Sequence, residues 1–228
     1  LGRRGYAVGL VARRTDRLEE LAAELRAAGV TCAWAAADVT DRQATIEAFS
    51  KLEEELGPLE VMVANAGIGG QLDPTDWKHE PIRAVMEVNF FGAVYAAEAA
   101  VPGMLGRGRG TLAVVSSVAA SRGLPGAGPY SASKAAIGSL WESLRVSLRP
   151  KGVRCVTINP GFIHTPLTAK NDFEMPFVIE ADQAARSMVD SIERGDRESS
   201  VPWVWGPIRW LMVRVPNWLY DWAVGSRK

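Results

Sequence analysis

The chain has 228 residues, of which 47% are hydrophobic, so it can bury a core and most simply forms one domain. Its 26 Lys and Arg residues balance 26 Asp and Glu residues, which argues against a nucleic-acid-binding protein, because such proteins carry a basic excess. Two histidines, two cysteines and no CxxC pair leave little material for a metal site. Without a signal peptide or a spanning run of roughly 20 apolar residues, we expect a soluble cytoplasmic protein.

Short apolar runs alternate with segments of helical periodicity along the chain. Capping residues precede the first two helices, with Thr15 or Asp16 before the first and Thr40-Asp41 before the second. This alternation predicts an α/β fold with a doubly wound parallel sheet in a three-layer α/β/α sandwich. In chain order we predict a strand over 6–12, a helix to about Gly29, a strand over 30–37, a helix to Gly57-Pro58, a strand over 59–64, a helix over about 80–104, a strand over 111–116, a helix near 129–148 and a strand over 153–159.

Polar or glycine-containing residues follow five of these predicted strands. In a doubly wound sheet, ligands bind beyond the carboxyl ends of the strands, so a site is expected at these positions. They are Arg13-Arg14, Asp38, Asn65-Ala66-Gly67, Ser116-Ser117 and Pro160-Gly161.

Tyr130 and Lys134 are four residues apart on a predicted helix, so their side chains share one face. A phenol has an ordinary pKa of about 10, and a nearby ammonium is expected to lower it, making Tyr130 a general acid/base near neutrality. The spacing alone is weak evidence, because Tyr and Lys are common on helix surfaces. Ser117 at a strand end and Asn89 within a long helix add two polar groups to the same candidate site.

Taken together, these residues resemble the short-chain dehydrogenase/reductase family, in its single-domain branch with a Rossmann-like fold. The resemblance runs from the first residue to about residue 195. It rests on Asn65-Ala66-Gly67, Asn89, Ser117, Tyr130-x-x-x-Lys134 and the segment from Pro160 to Thr165. It implies that Tyr130 exchanges a proton with the substrate oxygen, which Ser117 polarises. It also implies that Lys134 lowers the Tyr130 pKa and holds the nicotinamide ribose, and that Asn89 positions a water.

The resemblance also implies a set of cofactor-binding residues. These are Arg13, Arg14, Asp38, Val39, Asn65, Ala66, Gly67, Tyr130, Lys134, Pro160, Gly161, Ile163 and Thr165. Asp38 would accept from the adenine amino group beside Val39, residues 65–67 would line the adenosine ribose, and Thr165 with the Ile163 backbone would hold the carboxamide. Each has a structural alternative: a simple turn at 65–67, a helix-cap neighbour at Asp38, and a residue held by Pro166 at Thr165.

The end of the first strand bears on the choice between NADP(H) and NAD(H). An acidic residue there would bond the ribose 2′-hydroxyl and repel a 2′-phosphate. This chain has Ala12 and then Arg13-Arg14, and guanidinium groups form forked bonds with phosphate. We therefore expect NADP(H) to be favoured, with Arg13 the stronger candidate; a solvated basic pair is the structural alternative.

The glycine-rich phosphate loop of the family is absent from these residues, and residues 1–5 resemble the end of the helix that would follow it. In the expected strand order, a further strand would lie between those at 6–12 and 59–64. We therefore expect the natural polypeptide to be longer by about 20 residues, and no pyrophosphate-binding residue is assigned.

Five of the eight tryptophans lie in residues 201–228, which we separate from the sandwich formed by residues 1–200. This segment is expected to close the substrate pocket or pack against another subunit. The alternative is an interfacial membrane contact, in which tryptophans lie among the lipid headgroups and arginines meet anionic lipid. Residues 166–180, with Phe173, Met175, Pro176 and Phe177, are expected to form a lid. The basic residues of the membrane alternative are Arg209, Arg214, Arg227 and Lys228.

These observations predict an NADP(H)-dependent oxidoreductase that interconverts a carbonyl and a secondary alcohol on a hydrophobic substrate. Family precedent implies a homodimer or homotetramer. One alternative is a 3-oxoacyl thioester reductase, and another is a non-catalytic nucleotide sensor on the same fold. Cys32 and Cys155 are expected to be reduced core residues, His79 a surface residue and His164 a loop residue.

Overall fold

The computed structural model describes residues 1–166, 168–170 and 174–225, and it contains the predicted alternation of strands and helices. The lid residue Phe173 and the basic residues Arg227 and Lys228 lie outside the described residues. The elements are β1 (Val8–Ala12), α1 (Thr15–Ala27), β2 (Cys32–Ala36), α2 (Arg42–Leu56), β3 (Val61–Ala64), α3 (Glu80–Met86), α4 (Gly92–Arg107), β4 (Gly110–Val115), α5 (Gly128–Leu148), β5 (Val153–Pro160), β6 (Ile163–His164), β7 (Ile179–Glu180), α6 (Ala181–Arg194), β8 (Glu198–Val201), α7 (Trp205–Arg214) and α8 (Asn217–Gly225).

All strand pairs in the described residues are parallel, as predicted. β1 pairs with β2, and β3, β4, β5 and β8 form a four-stranded sheet in that order. The edges of β1 and β3 line a cleft of about 930 Å³ between these two groups of strands. One end of this cleft lies at the carboxyl ends of the strands, where the site is expected.

The core is divided between the two faces of the sheet, as a three-layer sandwich requires. Because side chains alternate along a strand, Val153 and Cys155 join the cluster under α4 and α5, whereas Val156 and Ile158 join the cluster under α6. Trp141 of α5 is fully buried, and its indole N–H donates to the Leu112 carbonyl of β4 at 3.1 Å. The sheet therefore holds α5 in a defined register.

The long helix predicted over 80–104 is α3 and α4 joined by a π-helical turn over Glu87–Phe91. By length and composition alone, Glu80–Arg107 is apolar enough to cross a membrane. Its small apolar residues, however, pack into the core against β3 and β4, which accounts for this composition. Asn89 lies in the π-helical turn, and such turns occur frequently at functional sites.

The structure corrects the predicted start of the first helix. Neither Thr15 nor Asp16 caps α1: Arg14 occupies the N-cap position in extended conformation, without a side-chain cap bond. The second cap is confirmed, because the Asp41 carboxylate accepts from the backbone N–H of Ala44 at 3.0 Å. The segment after β5 contains the short parallel pair β6 and β7, and α7 and α8 follow β8. The division of the chain at residue 200 stays a prediction.

Candidate active site

Ser117 lies directly beyond the carboxyl end of β4, where a single 3₁₀ turn over Val118–Ser121 begins. Its hydroxyl accepts from the backbone N–H of Ala119 at 3.1 Å, and the residue is buried. The same chain segment leads into α5, which carries Tyr130 and Lys134 on its first two turns. Strand β4 and helix α5 thus bring the three predicted catalytic side chains to one place.

The electrostatics of Tyr130 differ from the expectation. Burial raises the pKa of Tyr130 above its ordinary value, and the hydrogen bond from the Ser117 side chain acts in the opposite direction. The pKa of Tyr130 is thus raised rather than lowered as predicted, because burial outweighs the hydrogen bond from Ser117. Burial acts on Lys134 as well and lowers its pKa to about 8.

Lys134 is 4% exposed, and its ammonium group is held by the protein backbone. Nζ donates to the Val115 carbonyl at 2.8 Å and lies 5.8 Å from the centroid of the Tyr130 ring. On its other side lies Gly67, where an added Cβ would come within 3.4 Å of Nζ. Lys134 therefore connects the end of β4, the tyrosine ring and the loop after β3.

Asn89 is buried and holds the loop after β3 in place. Its Oδ1 accepts from the Ile68 N–H at 2.8 Å, and its Nδ2 donates to the Ile68 carbonyl at 3.0 Å. Nδ2 also donates to the Ser133 hydroxyl at 3.0 Å, and Ser133 donates in turn to the Tyr130 carbonyl at 2.8 Å. Both amide donors of Asn89 are thus engaged by protein atoms, and its predicted role with a water stays a prediction.

Ser133 is a residue of the site that was not among the residues singled out from the sequence. It connects Asn89 to the backbone of the catalytic helix, and it is completely buried. The sequence feature that could have identified Ser133 is its position directly before Lys134. Ser116, by contrast, donates to the Lys134 carbonyl at 2.9 Å and points away from the site, in agreement with the choice of Ser117.

Arg13 and Asp38 lie together at the ends of β1 and β2. Nη1 of Arg13 is 3.4 Å from Oδ2 of Asp38, and both side chains are solvent-exposed. Oδ1 of Asp38 accepts from the backbone N–H of Thr40 at 3.0 Å and from its hydroxyl at 2.8 Å. These bonds, more than Arg13, hold the pKa of Asp38 below its ordinary value. Asp38 thus binds Thr40 next to the cap of α2, as the structural alternative proposed. Its second carboxylate oxygen, Oδ2, lies beside Arg13.

The remaining cofactor candidates around β1 to β3 line the same cleft. They are Arg13, Arg14, Asp38, Val39, Asn65, Ala66 and Gly67. Two glycines permit close packing around this wall: a Cβ on Gly92 would lie 2.9 Å from a methyl carbon of Val39, and one on Gly67 would occupy the space beside Lys134. This donor set and this cradle fit a nicotinamide dinucleotide, with the adenosine near Arg13 and the nicotinamide ribose near Lys134.

The third group of predicted cofactor residues follows β5. The Gly161 N–H donates to the Val201 carbonyl at 2.8 Å, and Ile163 pairs with Ile179 in the β6–β7 ladder. Thr165 exchanges hydrogen bonds with Thr168, which also donates to the Ile163 carbonyl. These contacts order the loop locally, and the predicted contact of Thr165 with a carboxamide stays a prediction.

An aromatic cluster covers this loop from the outside. Trp205 is buried against Gly161, whose missing side chain makes room for the indole, because a Cβ there would lie 2.1 Å from Nε1. Phe162 and Phe177 contact Trp205 edge to face, with centroids 5.8 and 6.0 Å away. Phe177 adopts a left-handed backbone, with φ of 55°. The wall next to the site is thus strongly apolar.

The other residues singled out from the sequence are two histidines and two cysteines. His79 and His164 are exposed beside Glu80 and Glu180, respectively. Cys32 and Cys155 are buried free thiols, as expected. No group of three or more potential metal ligands occurs in the part of the chain that the structure describes.

Comparison with known proteins agrees with this site. The family model for short chain dehydrogenases matches residues 1–175. An uncharacterized oxidoreductase of Myxococcus xanthus is 44% identical over 222 residues, which are 97% of this chain and 87% of that protein. The chain therefore belongs to the short-chain dehydrogenase family, and it is an NAD(P)-dependent oxidoreductase with a Rossmann-like fold.

Two solved structures illustrate the likeness. An alcohol dehydrogenase from the archaeon Thermococcus sibiricus, complexed with 5-hydroxy-NADP, superposes with a TM-score of 0.78 at 28% identity, covering 87% of this chain and 86% of that one. A 7α-hydroxysteroid dehydrogenase, complexed with NADH and a 7-oxo bile acid, superposes with a TM-score of 0.66 at 26% identity, covering 70% and 62%. One structure thus carries 5-hydroxy-NADP and the other NADH.

Proposed function

We propose that this enzyme uses NADP(H) to interconvert a carbonyl and a secondary alcohol on a hydrophobic substrate. The observation that carries the proposal is the convergence of Ser117, Tyr130 and Lys134 at the carboxyl end of β4. When bound, the nicotinamide supplies or accepts the hydride. The residues of the chain then have to orient the substrate oxygen and move its proton.

Tyr130 is the group that moves the proton. Burial raises the pKa of Tyr130, so its hydroxyl is protonated at neutral pH and carries the proton that a carbonyl oxygen takes up during reduction. The Ser117 hydroxyl, near enough to hydrogen-bond the phenol, holds the same substrate oxygen. Alcohol oxidation requires the phenolate, so its rate is expected to rise with pH while the reduction rate does not.

The preference for NADP(H) rests on Arg13. Its guanidinium is exposed at the end of β1, and the residue before it has no carboxylate to repel a phosphate. Since Asp38 already binds the Thr40 backbone and hydroxyl, its charge is partly satisfied and Arg13 remains available to a 2′-phosphate. Arg14 is exposed beside it and supplies a second, weaker contact.

The preference for a hydrophobic substrate rests on the aromatic cluster of Phe162, Phe177 and Trp205. These rings lie next to the loop after β5 that is expected to meet the nicotinamide. Apolar walls with a few convergent polar groups are typical of sites for small apolar ligands. The polar groups here are the Ser117 and Tyr130 hydroxyls.

The same proposal includes a cytoplasmic homodimer or homotetramer. Two free buried cysteines suit a reducing compartment. β8 lies at the end of its sheet, paired with β5 on one side, and an open strand edge is a surface that a second copy can cover. Light scattering would show a multiple of the chain mass, and a monomer at all concentrations would contradict the assembly.

A carbonyl screen tests the proposed reaction. The protein is mixed with NADPH or NADH and a panel of aliphatic, alicyclic and aromatic ketones and 3-oxoacyl thioesters, and cofactor oxidation is followed by absorbance. We expect turnover of apolar ketones, faster with NADPH. If NADPH binds tightly in a fluorescence titration and the panel is not reduced, the protein is a sensor rather than the proposed enzyme.

A further inference from the structure

The C-terminal helices expose an unusual amount of apolar surface. Of eleven large hydrophobic side chains exposed in the described residues, six belong to the segment from Trp203 to Trp222, which we term the tryptophan patch. Its members are Trp203, Trp210, Leu211, Val213, Trp218 and Trp222. Trp203 and Trp218 are 79% and 72% exposed, so their rings project into solvent. Clustered exposed apolar surface usually marks an interaction site.

The helices that carry the patch have a second, inward face that is firmly bound. Arg209 of α7 is 18% exposed at its side chain and bonds Ser121 Oγ at 3.1 Å and Glu198 Oε1 at 2.6 Å. Tyr220 of α8 donates to the Gly123 carbonyl at 2.9 Å. The patch therefore lies on, and just before, helices that are docked on the body of the protein, and it is not the exposed core of a loose segment.

Arg122 completes this attachment. Its guanidinium donates to the Val215 carbonyl at 2.9 Å and to Asn217 Oδ1 at 3.1 Å, and it lies 4.3 Å from the centroid of the Tyr220 ring. Arg122 directly follows the 3₁₀ turn that begins at Ser117. The patch is thus fixed to the chain segment that carries the catalytic serine.

Charge distinguishes the segment from the rest of the protein. Residues 201–228 contain four basic residues and one acidic residue, Asp221, which is a formal net charge of +3. Arg209 is paired with Glu198 on the inward face, so the other charged residues of the segment sum to +2. The whole chain is neutral, so residues 1–200 carry −3. On the patch itself, Arg214 lies 4.0 Å from the Trp210 ring centroid, which places a cation beside an exposed indole.

We propose that the tryptophan patch docks on the surface of anionic phospholipid bilayers. Indole rings favour the headgroup region of a bilayer, because they combine an apolar body with an N–H donor. Amphipathic helices with basic residues lie in that region and are attracted by anionic lipid. The fold then holds the active site beside a reservoir of hydrophobic substrate.

A second copy of the chain fits the tryptophan patch less well than an anionic bilayer does. In a two-fold dimer the same patch faces itself, so the positive charge of each copy would meet positive charge. An anionic bilayer, by contrast, complements it. The docking does not depend on the proposed reaction, because lipid binding and carbonyl reduction are measured separately.

Vesicle co-sedimentation tests the proposal. The full chain is mixed with vesicles of phosphatidylcholine alone or of phosphatidylcholine with phosphatidylserine, and the bound fraction is measured at low and high salt. We expect binding to the mixed vesicles, weakened by salt as screening requires, and a blue shift of tryptophan fluorescence. Wild-type protein that remains in the supernatant with both vesicles would overturn the proposal.

A matched pair of variants locates the contact. Trp203→Ser/Trp218→Ser removes two highly exposed indoles from the patch, and Trp77→Ser removes an indole that is 67% exposed elsewhere. We expect at least about a tenfold loss of vesicle affinity for the first variant, since two indoles no longer bury apolar area in the bilayer, and none for the second. Equal losses for both would overturn the assignment.

Two further measurements keep this test decisive. Quenching of wild-type fluorescence by brominated lipid reports the contact without any substitution, and its absence would contradict the proposal. Light scattering on the double variant reports assembly. If the wild-type protein were a dimer that did not bind vesicles, and the double variant were a monomer, the patch would be a contact between copies of the chain. That result would contradict the proposal.

Discussion

Helix α5 and the C-terminal helices α7 and α8 differ in the burial of the side chains that we assign to their functions. On α5, Lys134 and Ser133 are buried and each polar group has a protein partner. On α7 and α8, most tryptophans point outward, and arginines hold the inner face. On α5, polar groups are removed from solvent, which lowers stability. On α7 and α8, apolar side chains are left exposed to solvent. The difference indicates that one region carries chemistry and the other contact.

After the loss of the Tyr130 hydroxyl, the largest effect is expected at Ser117, on the chain segment that leads into α5. Ser117→Ala removes the hydroxyl that meets the Tyr130 phenol, and kcat for carbonyl reduction is expected to fall by about 10²–10³-fold, as for the loss of a donor to a developing oxyanion. Steady-state kinetics measures it. Ser116→Ala is the matched control, because that hydroxyl bonds the Lys134 carbonyl outside the site. Equal loss in both variants would contradict the assignment.

The buried amine of Lys134 predicts an unusual dependence of stability on pH. Its pKa is about 8 in the folded protein and about 10.4 in an unfolded chain, so between these values the unfolded chain binds more protons. The contribution of Lys134 to the free energy of unfolding therefore rises across that window, by about 3 kcal/mol in total.

Lys134→Met isolates this contribution, because Tyr130 and Cys155, whose pKa values are raised, remain in both proteins. Urea unfolding at a series of pH values gives the difference between wild type and variant. We expect the difference to shift in favour of the wild type as the pH rises from 8 to about 10.4. A difference that is constant with pH would show that the amine is not desolvated.

Arg122 tests the bond between the two regions. Arg122→Gln breaks its hydrogen bonds to Val215 and Asn217 and its stacking on Tyr220, and is expected to cost about 2 kcal/mol of unfolding free energy. Tyr220→Phe removes one hydrogen bond and should cost about 1 kcal/mol. Chemical denaturation measures both. An Arg122 variant as stable as the wild type would show that the helices are not attached in this way.

The smallest effect is expected at the adenosine end of the cleft. Arg13→Ser should raise the KM for NADPH about tenfold, equivalent to one charge-assisted phosphate contact, and leave the KM for NADH nearly unchanged. Arg14→Ser should have a weaker effect of the same kind. If the KM values for NADPH and NADH rise equally, Arg13 supports the fold of the cleft rather than recognising the 2′-phosphate.

Much of the fold and the outline of the site can be predicted from the sequence, because both depend on short-range patterns of apolar and polar residues. Tyr130 and Lys134 share a helix face by spacing alone, and Ser117 follows an apolar run that ends at β4. The Asp41 cap was found for the same local reason.

The features that sequence reasoning missed depend on distant partners. The pKa of Tyr130 is raised by burial, which depends on the packed fold, so the spacing to Lys134 alone predicted the wrong direction. Ser133 matters because Asn89, 44 residues earlier, donates to it. The attachment of α7 and α8 through Arg122 spans more than 90 residues and leaves no periodic trace. Arg14 rather than Thr15 occupies the N-cap position of α1, in extended conformation and without a side-chain cap bond, so the capping preference of the side chain does not decide where this helix begins.

The most direct test of the central claim is Tyr130→Phe, which removes one hydroxyl and keeps the ring. Single-turnover reduction of a carbonyl substrate is measured with saturating NADPH, alongside NADPH affinity and the thermal midpoint. Proton donation by Tyr130 predicts a rate lower by about 10²–10⁴-fold, with cofactor affinity and midpoint preserved. Reduction at the wild-type rate would contradict it.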